Sequence, residues 1–232
     1  RVAVALLLAG SVLASAGCRQ LERLTIIRPS ADRGKFTQVA PTYDVSGKAK
    51  KSSVQKPPEQ LLAAASTLYA AGQLDQAKVK AQQVLQADPA SGDAHTLLGL
   101  IASANGQDAD AGGHYQQALN IAPRNGAYAN NYGIWLCSNG RAQESLTWFD
   151  KALLAPAYPT PVTARANAGT CALQAGQPVL AEANWRQALA LDPVLVPALS
   201  GLASLQFGRG QYMDARAFVE RWLAIVPQDG SA

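Results

Sequence analysis

The sequence predicts an all-α protein, a solenoid of stacked helical hairpins, on three observations. The first is a pair of stripes. Leu98, Gly99 and Ala102 share one face of a helix of 3.6 residues per turn, and Ala111, Tyr115, Ala118 and Leu119 share the face of another. The second is punctuation. Gly106, between the stripes, supplies the positive-φ stop that ends a helix, and Pro123 closes the second helix because it cannot donate the next backbone hydrogen bond. The third is recurrence. Turn glycines stand at Gly72, Gly106, Gly140, Gly176 and Gly210, at intervals of 34, 34, 36 and 34 residues. One hairpin cannot bury both of its faces, whereas hairpins in phase bury them against each other.

The chain opens with a segment of a different kind. Arg1 precedes the apolar run Val2 to Ala9, and small residues follow as far as Ala16-Gly17-Cys18. The run is shorter than the ~20 residues of a membrane span, and its flanks are those of a secretory signal. No initiator Met is present, so a few preceding residues are expected. A small pair directly before a cysteine resembles a bacterial lipoprotein signal, which implies cleavage after residue 17 and lipidation of Cys18. Ser15 departs from that pattern, standing where an aliphatic residue is usual. The alternative is an ordinary secretory signal. Arg19, rather than Asp, follows the cysteine, and by the same resemblance the anchor belongs in the outer membrane, facing the periplasm.

Residues 18–56 then read as the lipidated cysteine and a flexible basic tether. Positions 19–56 hold nine Lys or Arg against three acidic residues, broken by Pro29, Gly34, Pro41 and Gly47. Ser46-Gly47-Lys48-Ala49-Lys50-Lys51 buries too little apolar surface to offset its ordering entropy. As a random coil, such a tether reaches roughly 35 Å. Arg1 and this stretch together hold +7, so the chain's net +4 leaves −3 for residues 57–232. A nucleic-acid binder places its basic residues on the folded surface, and here the distribution is reversed. No nucleic-acid partner is expected.

Residues 57–232 form the repeat domain. The small residue that opens each second helix recurs as Ala77, Ala111, Ser145, Ala181 and Ala215. The closing proline recurs as Pro89, Pro123, Pro193 and Pro227, with Ala157 in the third copy. This order at a period of 34 resembles the tetratricopeptide repeat, and five copies cover about Pro57 to Gln228. The resemblance implies a right-handed superhelical solenoid. Tyr115, Phe149 and Trp185 fill the aromatic slot of the second helix as knobs between hairpins, opposite Gly99, Gly133 and Gly169. The first repeat is the least regular, with Ala65 at the glycine and Ala81 at the aromatic.

Repeats three and four are more particular. They contain Asn130-Asn131-Tyr132-Gly133, then Tyr158-Pro159-Thr160-Pro161, then Asn167-Ala168-Gly169. Two extra residues sit in the proline-rich junction, where Thr160 is expected to cap the next helix with Pro161 at its first position. These runs closely resemble the type IV pilus biogenesis/stability lipoproteins of the PilF/PilW type, the pilotins. That resemblance spans signal, tether and repeats. It implies an outer-membrane adaptor that binds the type IV pilus secretin and promotes its localisation and assembly.

No catalytic constellation is present, so a non-enzymatic protein without a cofactor or small-molecule substrate is expected. His95 and His114 lie in different helices of one repeat, without the ligand spacing of a metal site, and are read as packing or surface residues. No glycine-rich phosphate loop follows a strand. With Cys18 lipidated, Cys137 and Cys171 remain, each late in the first helix of successive repeats. Those helices lie side by side in a tetratricopeptide stack and an exported protein permits a bridge, which is the expectation. The alternative is two buried thiols acting as small hydrophobes.

In such stacks the first helices line a concave groove. That frame puts Leu62, Tyr69, Leu100, Asn130, Ile134, Asn167, Thr170 and Phe207 on the inward side as the partner-binding surface. Asparagines can pair with both the donor and the acceptor of a bound peptide backbone, or merely satisfy repeat junctions. The rival functional reading is a periplasmic scaffold that recruits peptidoglycan hydrolases or other envelope enzymes through the same groove.

Overall fold

The computed structural model describes residues 57–156 and 158–225. The signal, Cys18 and the tether lie outside the described residues, as do Ala157 and Pro227 of the closing-proline series. Ten helices follow in order: α1 Pro58–Ala70, α2 Leu74–Ala87, α3 Gly92–Ala104, α4 Asp108–Ile121 and α5 Gly126–Ser138. After these come α6 Ala142–Leu154, α7 Pro161–Gln174, α8 Pro178–Leu191, α9 Val196–Gly208 and α10 Tyr212–Leu223. No other regular structure occurs among the described residues. The fold is an all-α solenoid of five hairpins.

Each hairpin turn is built around its glycine. The five turn glycines adopt φ between 71° and 76°, a conformation that costs a side chain but not glycine. In the second turn the Gln107 amide donates to the Ala102 carbonyl at 2.9 Å and the Gly106 amide donates to Ser103 at 3.1 Å. These are the two reversed bonds that satisfy the last carbonyls of a helix. The same pair recurs at Gln73, Arg141, Gln177 and Gln211. Helix starts are less uniform. Ser91 caps α3 through its hydroxyl, and Asn125 caps α5 by accepting from the Ala127 and Tyr128 amides. Thr160 departs from expectation. It stands at the N-cap position of α7, but its side chain accepts no amide there.

Within a hairpin the contact is small against large. The ring of Trp185 lies so close to Gly169 that an added Cβ would approach it to 2.6 Å, and at Gly201 to 2.5 Å. One indole is thus wedged between α7 and α9, and neither helix has room for a methyl group there. Tyr115 and Phe149 pack in the same way on Gly99 and Gly133, and both rings are buried. Ala65 and Ala81 of the first repeat are both fully buried, a smaller contact in the same place.

Hairpins stack with a consistent side. Each odd-numbered helix approaches the next odd-numbered one, whereas the even-numbered helices do not approach each other. The odd helices therefore line the inner side of the curve and the even helices the outer. The core follows the same line. Buried residues fall into clusters strung along the repeats, such as Ala65, Ala77 and Ile101 at one end and Trp185, Leu199 and Leu202 at the other. Burial of this kind makes stability close to a sum of neighbour terms.

The third junction is longer than the rest. Four residues separate α2 from α3, α4 from α5 and α8 from α9, against six between α6 and α7. The extra length brings Tyr158 back over Gly126, where a Cβ would meet its ring at 2.8 Å.

Candidate partner-binding site

The inner faces of α5 and α7 meet at two side-chain links. Asn167 donates through Nδ2 to Asn130 Oδ1 at 3.1 Å. Farther along, Cys137 and Cys171 are joined by a disulfide with their Cα atoms 5.8 Å apart. Both links cross from one repeat to the next, so they fix the spacing of the two odd helices at opposite ends of their contact. Ile134, half-buried, packs with Phe149 and the bridged cysteines.

The expected groove residues divide on exposure. Asn130 is only 6% exposed, so its amide belongs to the α5–α7 contact rather than to an open surface. This corrects the expectation that it faces a bound peptide freely. Its carboxamide oxygen is occupied by Asn167, which is half-buried. Thr170 is exposed, one turn beyond Ala166, to whose carbonyl its hydroxyl donates at 3.2 Å. Leu100 packs against the cluster of Tyr128 and Tyr132, and Leu62 and Tyr69 against the first-repeat core. Burial raises the Tyr69 phenol above the ordinary tyrosine value, so it stays a neutral donor. Phe207, on α9, is 66% exposed and stacks edge-on with Tyr212 at 5.4 Å. The structure thus brings Asn130, Ile134, Asn167 and Thr170 together, while Leu62 with Tyr69, and Phe207, belong to more distant repeats.

Other links escaped the sequence reading. Tyr128 donates to Asp93 at 2.8 Å between α5 and α3, 35 residues apart. Its phenol is raised by burial and by the Asp93 carboxylate. Glu182, on α8, accepts from Gln206 and pairs with Arg209 and Arg186, and the two guanidinium groups hold its carboxyl below the usual range. The hydrogen bond to Arg209 is the largest cause, that to Arg186 the next. Only the ladder of equivalent positions in successive repeats could have signalled such contacts. Among the described residues no group of three or more metal-binding side chains converges.

Two stretches of the sequence, residues 62–129 and 172–232, match the tetratricopeptide repeat family. A crystal structure of PilW, a widely conserved type IV pilus biogenesis factor, superposes with a TM-score of 0.69 at 32% identity. The match covers 72% of this chain and 76% of that one. This chain belongs to the tetratricopeptide-repeat proteins of type IV pilus biogenesis. Another member with a solved structure, PilF of Pseudomonas aeruginosa, superposes with a TM-score of 0.70 at 25% identity, covering 74% of this chain and 78% of that one. In sequence, the type IV pilus assembly protein PilF of Pseudomonas aeruginosa is 28% identical over 149 residues, 64% of this chain. The match spans 59% of that relative's length. A Thermus thermophilus tetratricopeptide protein at 22% identity and TM-score 0.63 shares the fold. For this pilus-biogenesis protein, five hairpins and an inner face of odd helices are the frame on which a partner surface is built.

Proposed function

We propose that this pilus-biogenesis protein is a pilotin, an adaptor anchored through a lipidated Cys18 to the periplasmic face of the outer membrane. It binds the type IV pilus secretin and promotes assembly of that ring. The observation that carries the reading is the likeness to the biogenesis factor PilW, at 32% identity over three quarters of that chain. Support comes also from α5 and α7, where exposed Thr170 lies one turn from half-buried Asn167 on α7 and half-buried Ile134 of α5 packs against the cluster holding Ala168 and Cys171. Apolar neighbours supply burial energy to a docked segment, and polar groups orient it. Residues 57–232 act as the binding domain in this reading, and the basic segment ahead of them gives it reach.

Two variants test the reading in the source bacterium. Thr170→Arg places bulk and an unpaired charge on the inner face, while an exposed position typically costs under ~0.5 kcal/mol in stability. The variant is expected to keep its melting temperature and recover less secretin from detergent-solubilised envelope. Cys18→Ser is expected to leave the outer-membrane fraction, with secretin multimers reduced. Unchanged secretin recovery by Thr170→Arg moves the surface elsewhere. Outer-membrane fractionation of Cys18→Ser with acyl mass retained removes the anchor. Failure of the unaltered protein to capture secretin sinks the whole reading.

A further inference from the structure

The chain's two histidines, 19 residues apart, face each other in the second repeat. Nδ1 of His95, on α3, lies 3.2 Å from Nδ1 of His114, on α4, with ring centroids 5.4 Å apart. They border a cleft of about 450 Å³ between α2, α3 and α4, lined also by Lys78, Gln107, Asp110 and Gln117. The floor is apolar, made by Leu98, Ile101 and Ala102.

Two facing Nδ1 atoms at this distance share a proton when one ring donates and the other accepts. They also form a bite. Two metal–nitrogen bonds of about 2.0–2.1 Å, at angles from square to tetrahedral, set the donor atoms roughly 2.9–3.4 Å apart. The observed 3.2 Å lies inside that range. Burial lowers the pKa of both rings below the ordinary histidine value, and at His114 the His95 ring adds to the effect. When both rings carry their proton on Nε2, both Nδ1 atoms are lone-pair donors. Asp110 stands one turn before His114 on α4, the spacing that places two ligands on one helix face. Its charge acts on the His114 ring, with Lys78 opposing it.

We propose that His95 and His114 form a two-imidazole chelate for zinc(II), with Asp110 on the same side and water completing the shell. Imidazole nitrogen with a carboxylate is a donor set suited to zinc rather than to magnesium or calcium. Because fewer than three protein ligands are already in place, the site is open and exchangeable, not a closed structural one. A bound ion clips α3 to α4 and so stiffens the second repeat alone.

The test uses the tag-free full chain carrying Cys18→Ser, so that no free thiol competes, with zinc chloride as the only ligand. Calorimetry is expected to give one saturable site, and the melting temperature is expected to rise with zinc but not with magnesium. His95→Gln and His114→Gln should each weaken binding by at least about tenfold and abolish the thermal shift. Asp110→Asn should weaken it less. Absence of saturable binding, or binding unchanged in both histidine variants, overturns the site. Should either variant fail to fold, the unaltered rings decide by NMR. Zinc must shift both imidazole spin systems, and a spectrum in which neither moves refutes the chelate. Neither outcome depends on whether secretin is the partner.

Discussion

The side chains that matter here are those whose neighbours leave them no alternative. Asn130 is one. It is buried, its carboxamide oxygen accepts from Asn167, and both residues sit on the inner helices of the stack. Thr170 lies one turn from Asn167 on the same helix, yet it is exposed and its hydroxyl bonds only within α7. The two positions therefore differ in kind, although both were expected to face the groove. Asn130→Ala is expected to destabilise by about 1–2 kcal/mol, because it strands an amide donor on Asn167 inside a helix contact. That corresponds to a fall in melting temperature of several degrees for a protein of this size. Asn130→Ala combined with Asn167→Ala should cost less than the two single losses summed, since the partner is removed as well. Thermal melts of the three variants decide it. Additive losses would mean that the amides act independently and that the bond contributes nothing.

At the scale of helices, the hairpin was legible because each of its requirements rests on one residue at a fixed interval. A positive-φ glycine ends the first helix, a small residue opens the second, and an aromatic ring lies on a glycine across the hairpin. The site was legible only in part, and its cross-repeat bonds show why. Counting by the 36-residue interval of that copy, Asn167 is the equivalent of Asn131, yet it bonds to Asn130, and by the 34-residue interval Tyr128 is the equivalent of Ala94, yet it bonds to Asp93. Facing side chains on successive inner helices are thus offset from the equivalent positions, and the residue pattern within either helix does not record that offset. Thr160 departed too: it holds the N-cap position of α7 without capping it through its side chain. Cys137 and Cys171 were easier, being late in neighbouring inner helices, and they close a separation of 34 residues. Such a crosslink contributes about 2–4 kcal/mol, chiefly by restricting the unfolded chain. Thiol titration of the denatured, unreduced repeat domain should find neither sulfur free. Cys137→Ala with Cys171→Ala should lower the denaturation midpoint accordingly, and two titratable thiols in the unaltered protein would refute the bridge.

Across the whole repeat array, stability is local because contacts are local. Every helix meets only its own hairpin partner and the hairpins next to it, so no residue of the first repeat supports the last. The middle is held three ways: by the wedge of Trp185 between α7 and α9, by the asparagine pair, and by the disulfide. At one end α1 buries only Leu61 and Ala65, and at the other α10 buries only Ala215, leaving Met213 and Leu223 exposed. Opening free energies in such an array should rise from both ends toward the centre. Native-state hydrogen exchange is expected to give the fastest amides in α10 and α1 and the slowest in α5 to α8. Reduction of the disulfide should then speed exchange in α5 to α8 while leaving α1 and α2 unchanged, because the crosslink has no contact with the first repeat. Zinc, if it clips α3 to α4 as proposed, should slow those two helices without slowing α9. A single exchange rate limit shared by all ten helices would contradict this picture, since it would require the array to unfold as one cooperative unit rather than repeat by repeat.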